Sequence, residues 1–564
     1  MKRHRRQFLH LVARAAALPA VSRFAVAQVQ TGAIAIEEAT IADLQAAYMA
    51  GRTTVRAVTQ AHLDRIAVYD KRGPLINSLI TVNAHALDEA DRLDAALRTT
   101  GGPVGPLHGI PVVVKDNIDV AGLPMTAGFQ GWKNYYPPED APLIKRIRAA
   151  GGIILAKASL SEFTRGSGDN INSVLPGFAR NPYNTAFGTG GSSGGTGAAL
   201  AASFAVVGIG TDTGGSVRSP SAHNALAGLR PTVGLVSRTG MTPNNSVRDT
   251  AGPMARTVRD MTILLDVIVG PDPDDPATAR AEGHRLATYT GALRANALGG
   301  ARLGVLRQVF KEAVTDPLII TQFETTLAEL KAAGAEIIDP FVVPELDTVP
   351  RPPQTAARFK DDLIRKSKRK FYAVAKKENR LSSARVRSRR WGTHHLDRQA
   401  SRRAIPIRKG DCGLEASTSS ASGVVGRSGG GQARRGRPLH DPGLKDEQRY
   451  RDGFTVAMDA NRIDAVVFPT FAQLPVINGD RNTQIAAEPK PGGGPTALSS
   501  NLTFVASAMQ WPAISVPRGY LGEGLPQGLQ ILGRPWEEAK IIGYAFAYEQ
   551  ATHHRRPPPL PRSK

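Results

Sequence analysis

Cysteine is almost absent from this sequence. Cys412 is the only one among 564 residues, so the chain can form neither an intrachain disulfide nor a cysteine metal cluster. The sequence also lacks the H-E-x-x-H pattern, histidine pairs at ligand spacing and the G-x-x-x-x-G-K-[ST] phosphate loop. We therefore predict no metal site and no cofactor. After the first residues no apolar run is long enough to span a bilayer, and a soluble mature protein is expected.

Acidic residues are scarce in two segments, and these segments account for the basic character of the chain. Residues 351–450 hold 26 Lys and Arg against 9 Asp and Glu, and residues 1–27 hold 6 basic residues and no acidic one, within a total net charge of +22. The rest of the chain is close to neutral. Few aromatic side chains interrupt the arginine runs, whereas nucleic-acid-binding surfaces combine basic residues with stacking aromatics. We expect no nucleic-acid partner.

The first 27 residues resemble an export signal. Arg5-Arg6 is followed by Phe8-Leu9, a modest apolar run and small residues before Gln28. This order is typical of the twin-arginine address by which bacteria export folded proteins. We predict a signal over 1–27, the export machinery as a partner and a periplasmic mature protein. The alternative is a basic amphipathic helix on a membrane surface.

A glycine- and serine-rich stretch carries the clearest chemical signal. Ser192 and Ser193 lie within GGSSGG, and Ser216 lies within TDTGGSVR. Glycines allow successive backbone N–H groups to converge on one anionic oxygen, which is what an oxyanion hole requires. A flexible linker would not contain the apolar run Ala198–Ile209 between the two sites. A serine in either site is therefore a candidate nucleophile.

A serine nucleophile needs a group that takes its proton. His223 is near in sequence, but it follows a proline in a stretch with no strand signal. The G-x-S-x-G match at 190–194 would need a preceding strand, and residues 181–185 indicate a turn instead. Lys115 ends a short β-branched run, where burial would lower its pKa and let it accept a proton. The alternative is a lysine whose charge reaches water at the strand end.

These stretches together resemble the amidase signature family, over residues 109–128, 188–231 and 228–234. The resemblance implies a Ser–cisSer–Lys triad. Ser216 would be the nucleophile, Ser192 the bridging serine held by a cis peptide bond, and Lys115 the base. The 24-residue gap between the two serines agrees with the family pattern.

The resemblance also implies the surroundings of the triad and the reaction. The backbone N–H groups implied for the oxyanion hole are those of Thr213, Gly214, Gly215 and Ser216, and Asp212 and Arg218 match positions that brace the loop. The implied activity is hydrolysis of a small-molecule carboxylic amide to acid and amine or ammonia. An esterase on the same triad and an inactive relative stay open, as does a homodimer. The export signal disfavours a tRNA amidotransferase component that acts on charged tRNA.

Short β-branched runs alternate with helical patterns between residues 103 and 269, which predicts an α/β fold with a mixed sheet. The predicted strands are 112–114, 153–155 and 206–209. The predicted helices are 143–150 and 198–204. The resemblance implies a single domain over 28–564, with a central mixed sheet covered by helices on both faces.

Residues 364–440 lose both the strand and the helix pattern, although the family pattern resumes near Gly443. We interpret this segment as a stretch read in the wrong frame and then restored. A disordered insertion is the alternative. Reading the coding DNA in the other two frames distinguishes the two explanations. Only a stretch read in the wrong frame would give a helical, family-like segment in another frame. Loss of that segment would threaten stability and specificity.

Overall fold

The computed structural model describes residues 35–164, 172–173, 175–312, 315–348, 442–475, 478 and 502–560. The predicted export signal and the segment 364–440 lie outside the described residues. The described residues before 349 and from 450 onward belong to one unit, which contains the predicted site.

Eleven strands of the described chain form one sheet, in the order β1-β3-β2-β6-β8-β7-β12-β13-β11-β9-β10, and β4 and β5 form a separate ribbon. The strands are β1 (Leu79–Val82), β2 (Ile110–Lys115), β3 (Gly152–Ala158), β4 (Asn172–Ser173), β5 (Gly177–Phe178), β6 (Val207–Asp212), β7 (Ala227–Arg230), β8 (Thr250–Ala255), β9 (Arg302–Val305), β10 (Glu336–Ile338), β11 (Ala465–Pro469), β12 (Ala513–Leu521) and β13 (Leu525–Leu532).

Helices of the described chain connect and cover these strands. They are α1 (Ile41–Met49), α2 (Val55–Tyr69), α3 (Ala86–Thr100), α4 (Pro142–Ala149), α5 (Gly194–Ala201), α6 (Arg218–His223), α7 (Val258–Ile268), α8 (Pro317–Ala332), α9 (Glu345–Thr348), α10 (Pro442–Ala460), α11 (Phe504–Met509) and α12 (Glu538–Thr552). None of the helices in this part of the chain is both long and apolar enough to cross a membrane.

The sheet is mixed, as predicted. Strand β2 runs parallel to β3 on one side and to β6 on the other, whereas β6 pairs antiparallel with β8. Every residue of β2, β3, β6 and β8 is buried. Strands buried along their whole length have both sheet faces covered, which agrees with the predicted layers of helices.

The predicted elements recur with shifted ends. The strands predicted at 112–114 and 153–155 lie inside β2 and β3, and the run predicted at 206–209 overlaps β6. The helix predicted at 198–204 instead begins at Gly194 and ends at Ala201. Its first turn is glycine-rich, and glycine has low helix propensity, so sequence patterns place that turn in a loop.

The glycines of α5 let this helix approach the sheet closely. A Cβ added at Gly195 would lie 2.3 Å from Ser159 O and 2.5 Å from Ser159 N and from Ser78 O. Gly195 N–H also donates to Ser159 O at 3.1 Å. Close packing at this point fixes the start of α5, directly after the Ser192–Ser193 pair.

We predict that Gly195→Ala lowers the free energy of unfolding by about 1–3 kcal/mol, because the backbone atoms that meet the new methyl group cannot move aside cheaply. Urea unfolding followed by circular dichroism measures this. Gly102→Ala is the matched control, since no atom lies within 4 Å of its added Cβ, and its stability should stay within about 0.5 kcal/mol of wild type. Equal stabilities for the two variants would contradict this packing account.

Candidate active site

Lys115 ends β2 and is fully buried beneath the glycine-serine loops. Its Nζ donates to Ser192 Oγ at 2.7 Å and to Thr211 Oγ1 at 2.8 Å, and lies 3.4 Å from Thr211 O. These partners are hydroxyl and carbonyl oxygens. An amine without a carboxylate contact has less reason to stay protonated than one in an ion pair.

Burial lowers the pKa of Lys115 to about 7, although the carboxylates of Asp212 and Asp249 favour its charged form. Removal from water penalises the ammonium ion more than these more distant carboxylates stabilise it. Near neutral pH a large share of the amine is therefore unprotonated. A neutral amine in contact with a serine hydroxyl has the chemistry of a general base.

Ser192 lies in a loop that is fixed from several sides. The peptide bond between Gly191 and Ser192 is cis, as the resemblance implies. Ser161 N–H donates to Ser192 O at 3.2 Å, and Gly191 N–H donates to Ser219 Oγ at 3.3 Å. The side chain of Ser192 is almost fully buried, so its hydroxyl stays directed at Lys115.

Ser216 lies in the loop between β6 and α6, and its side chain is half-buried. Its carbonyl oxygen accepts a hydrogen bond from Ser193 N–H at 3.2 Å, which ties the two serine loops together. Among the described residues no hydrogen bond joins the Ser192 and Ser216 hydroxyls. The structure thus brings Lys115 and Ser192 into contact and places Ser216 on the adjoining loop. Catalytic hydrogen bonds are often long without substrate, and the roles of the three residues stay predictions.

His223 does not compete for the role of base. It is buried beside Gly190, its ring lies 4.5 Å from that of Phe471, and neither ring nitrogen has a hydrogen-bond partner within the described part of the chain. Burial lowers its pKa to about 4. The position of His223 therefore agrees with the expectation that another residue is the base.

The predicted oxyanion loop, residues 213–216, departs from expectation at one position. Gly215 N–H donates to Asp212 Oδ1 at 2.9 Å, so in this structure it braces the loop rather than facing a ligand. Gly215 also has φ +126°, and an added Cβ would lie 1.7 Å from Thr503 Oγ1. Glycine is required here for its conformation and for the close approach of Thr503, not for the predicted donation to an oxyanion.

Asp212 holds this loop through a buried network of charges. Arg218 donates to both of its carboxylate oxygens at 3.1 Å, and Arg230 donates to Oδ1 at 2.9 Å and to the Asp212 carbonyl at 2.7 Å. All three side chains are fully buried. Burial alone would raise the pKa of Asp212, but Arg218 and Arg230 hold that pKa well below its usual range.

Arg218 extends the network to the C-terminal part of the chain. It donates to Thr503 O at 2.7 Å, to Ser507 Oγ at 2.8 Å and to Gln530 Oε1 at 2.9 Å. Each of these partners lies more than 280 residues away in the sequence. Asp212 and Arg218, which were predicted to brace the loop, therefore form a direct ion pair. Through Arg218 this pair connects α6 to α11 and β13.

Sequence reasoning missed several residues that complete the site. They are Thr211, Asn117, Arg230, Asp249, Thr503, Ser507 and Gln530. Thr211 and Arg230 lie inside the stretches that carried the resemblance. A polar side chain in an otherwise apolar strand could have marked each of them as a candidate site residue. Thr503 and Gln530 had no such signal, because only the fold brings them to Arg218.

The sequence profile of the Amidase family matches residues 57–407 and 439–542, and the chain belongs to this family. The interruption at 408–438 falls inside the segment 364–440. The chain is 33% identical over 531 residues to one of the subunits of glutamyl-tRNA(Gln) amidotransferase from Salinispora arenicola, covering 92% of this chain and 98% of that protein.

Solved structures show the same fold. The native peptide amidase from Stenotrophomonas maltophilia superposes with a TM-score of 0.69 at 32% identity, covering 93% of this chain and 99% of that one. An amidase family protein from Bacillus anthracis gives a TM-score of 0.69 at 26% identity, covering 93% of each chain. The protein is thus an enzyme of the amidase family, with a site arranged for chemistry on amide C–N bonds.

We predict that Asp212→Asn lowers the free energy of unfolding by about 3–5 kcal/mol, because Arg218 and Arg230 would remain buried without their carboxylate. Urea unfolding measures the loss. Asp91→Asn is the control: it removes an exposed carboxylate from its pair with Arg56 and should cost at most about 1 kcal/mol. Similar losses in the two variants would contradict the importance of the buried network.

Proposed function

We propose that the protein hydrolyses a carboxylic amide to the acid and an amine or ammonia through an acyl-enzyme on Ser216. The observation that carries this proposal is the contact of Lys115 with Ser192. A fully buried lysine donates to that serine hydroxyl and has no carboxylate contact among the described residues. This arrangement suits a base that works through a bridging serine.

The proposed reaction begins when the Ser216 hydroxyl gives its proton to Ser192 Oγ, while Ser192 gives its own proton to neutral Lys115 Nζ. Ser216 Oγ bonds to the amide carbon, and the C=O electrons move onto oxygen. As that carbonyl re-forms, the C–N bond breaks and the leaving nitrogen receives the proton from Lys115 through Ser192. Water, deprotonated by the same route, then attacks the ester and releases the acid and the Ser216 hydroxyl.

The negative oxygen of the tetrahedral intermediate needs N–H donors. The proposal keeps Thr213, Gly214 and Ser216 in this role and removes Gly215, because its N–H already binds Asp212. Such donors each contribute on the order of a hundredfold to a thousandfold in turnover. The buried carboxylate of Asp249, which accepts a hydrogen bond from Thr213 Oγ1 at 2.5 Å, also supports the loop.

The comparisons leave the substrate open, since a peptide amidase and a component of a tRNA amidotransferase show almost equal similarity to the chain. The resemblance of residues 1–27 to an export signal supports the hydrolase, because charged tRNA is a cytoplasmic substrate. An esterase that uses the same triad would differ from an amidase only in the leaving group, which is an alcohol instead of an amine or ammonia. Turnover of an amide and an ester with the same acyl group separates these two activities.

We also propose that the protein is exported and works in the periplasm. Arg5-Arg6 followed by Phe8-Leu9 supports this proposal. Cell fractionation of the full chain expressed in a bacterium should place the mature protein in the periplasm, and replacement of both arginines by lysine should leave it in the cytoplasm. An unchanged location in the variant would contradict the twin-arginine assignment.

We predict that Ser216→Ala lowers amide hydrolysis by at least about a thousandfold, because no other group then forms the acyl-enzyme. Ammonia release from a panel of primary amides measures this. Ser246→Ala removes a half-buried hydroxyl outside the proposed machinery and should keep activity within about twofold of wild type. Retained hydrolysis by the Ser216 variant would overturn the proposed nucleophile. A folded wild type without activity on any amide would favour the inactive relative.

A further inference from the structure

Two fully buried lysines lie on the neighbouring strands β2 and β3, and their partners differ. Lys157 on β3 pairs in register with Val114 of β2, and Lys115 pairs with Ala158. Lys115 contacts hydroxyls. The Nζ of Lys157 instead lies 2.8 Å from Asp116 Oδ1 and donates to Pro124 O at 3.3 Å. The sheet therefore holds one lysine with a carboxylate partner beside one without.

Asp116 directly follows Lys115 and is itself fully buried. Its backbone N–H donates to Ala158 O at 3.1 Å, and its carbonyl accepts from Ala127 N–H at 3.0 Å. Its Oδ2 accepts from both the N–H and the hydroxyl of Thr126. The carboxylate thus fixes the loop before residue 127 against the ends of β2 and β3.

The charge of Asp116 matters because of its position next to the proposed base. An uncompensated carboxylate there would favour the ammonium form of Lys115, and Lys157 compensates it. Two unit charges about 4 Å apart interact by about 4 kcal/mol at an effective dielectric constant of about 20, and the energy falls with separation. Since about 1.4 kcal/mol corresponds to one pKa unit, an unpaired charge beyond contact distance is expected to move the pKa of Lys115 by about one unit.

Two other carboxylates, Asp212 and Asp249, favour the charged form of Lys115, and each has partners of its own. Asp212, from β6, is paired with Arg218 and Arg230. Asp249, before β8, accepts hydrogen bonds from Thr213 Oγ1 and from two backbone N–H groups, at 244 and 245. Without Lys157, Asp116 would keep its hydrogen bonds from Thr126 but would lose the cation that lies beside it.

We propose that Lys157 is a positioning residue for the reaction: through its ion pair with Asp116 it neutralises the charge next to Lys115 and fixes the end of β2, so that Lys115 remains the proton acceptor. This inference rests on the proposed function, in which Lys115 is the base. Lys157 touches neither serine of the triad and acts through Asp116.

The test compares Lys157→Met, Asp116→Asn and the double variant by the rate at which a fluorophosphonate probe labels the protein between pH 5 and 9. Protonated Lys115 cannot accept a proton, so the wild-type rate should rise with pH through a midpoint near 7. In Lys157→Met the midpoint should move up by about one pH unit, because Asp116 then stabilises the ammonium ion. In Asp116→Asn it should move down, because Lys157 then opposes that charge.

The double variant carries no charge at either position, and its midpoint should return to within about 0.3 of wild type. It also keeps the test decisive if a single variant fails to fold, since a midpoint moved by a full unit in the double variant would overturn the inference. Lys145→Met, which removes an exposed lysine paired with Glu139, is the control and should leave the midpoint unchanged.

Equal midpoints in all folded variants, or shifts in the same direction in both single variants, would reduce the ion pair to an anchor for the loop and overturn its electrostatic role. Failure of the proposed function has a different signature. In that case wild type itself would fail to label on Ser216, or would label at a rate independent of pH.

Discussion

The site depends on one buried carboxylate. Asp212 ends β6, and its side chain accepts hydrogen bonds from two arginines and from the N–H groups of Gly215 and Val217. Removing any of these charges from water is costly unless its partner is present. The loop that carries Ser216 is therefore determined by charge pairing in the interior. Because Arg218 also binds Thr503 and Gln530, the same carboxylate connects the loop of Ser216 to the C-terminal part of the chain.

Buried cations near the site differ in their partners, and among the described residues Lys115 has no carboxylate contact. Lys157, Arg218 and Arg230 each lie against a carboxylate, whereas Lys115 has hydroxyl partners. Burial lowers the pKa of Lys115 to about 7, close to neutral pH. In the proposed reaction Lys115 exchanges a proton, whereas Lys157, Arg218 and Arg230 hold carboxylates in place.

Much of this arrangement could be predicted from the sequence, because glycine-rich loops and a lysine at a strand end are local signals. The strand at 112–114 is an example, whereas the cis bond before Ser192 was implied only by the resemblance to the family. The start of α5 at Gly194 could not be predicted, since close packing overrides the low helix propensity of glycine. The Gly215–Asp212 bond and the contacts of Arg218 depend on loop geometry and on residues far away in the sequence. They leave no local pattern.

The central claim is that Lys115, Ser192 and Ser216 act as one unit with Ser216 as the nucleophile. Its most direct test is to label the purified mature protein with a fluorophosphonate probe at pH 8 and to locate the adduct by peptide mass mapping. The account predicts a single adduct on Ser216, absent after Lys115→Ala at the same pH and exposure time. An adduct on Ser192 or Ser193, or no adduct on a protein with a cooperative unfolding transition, would contradict it.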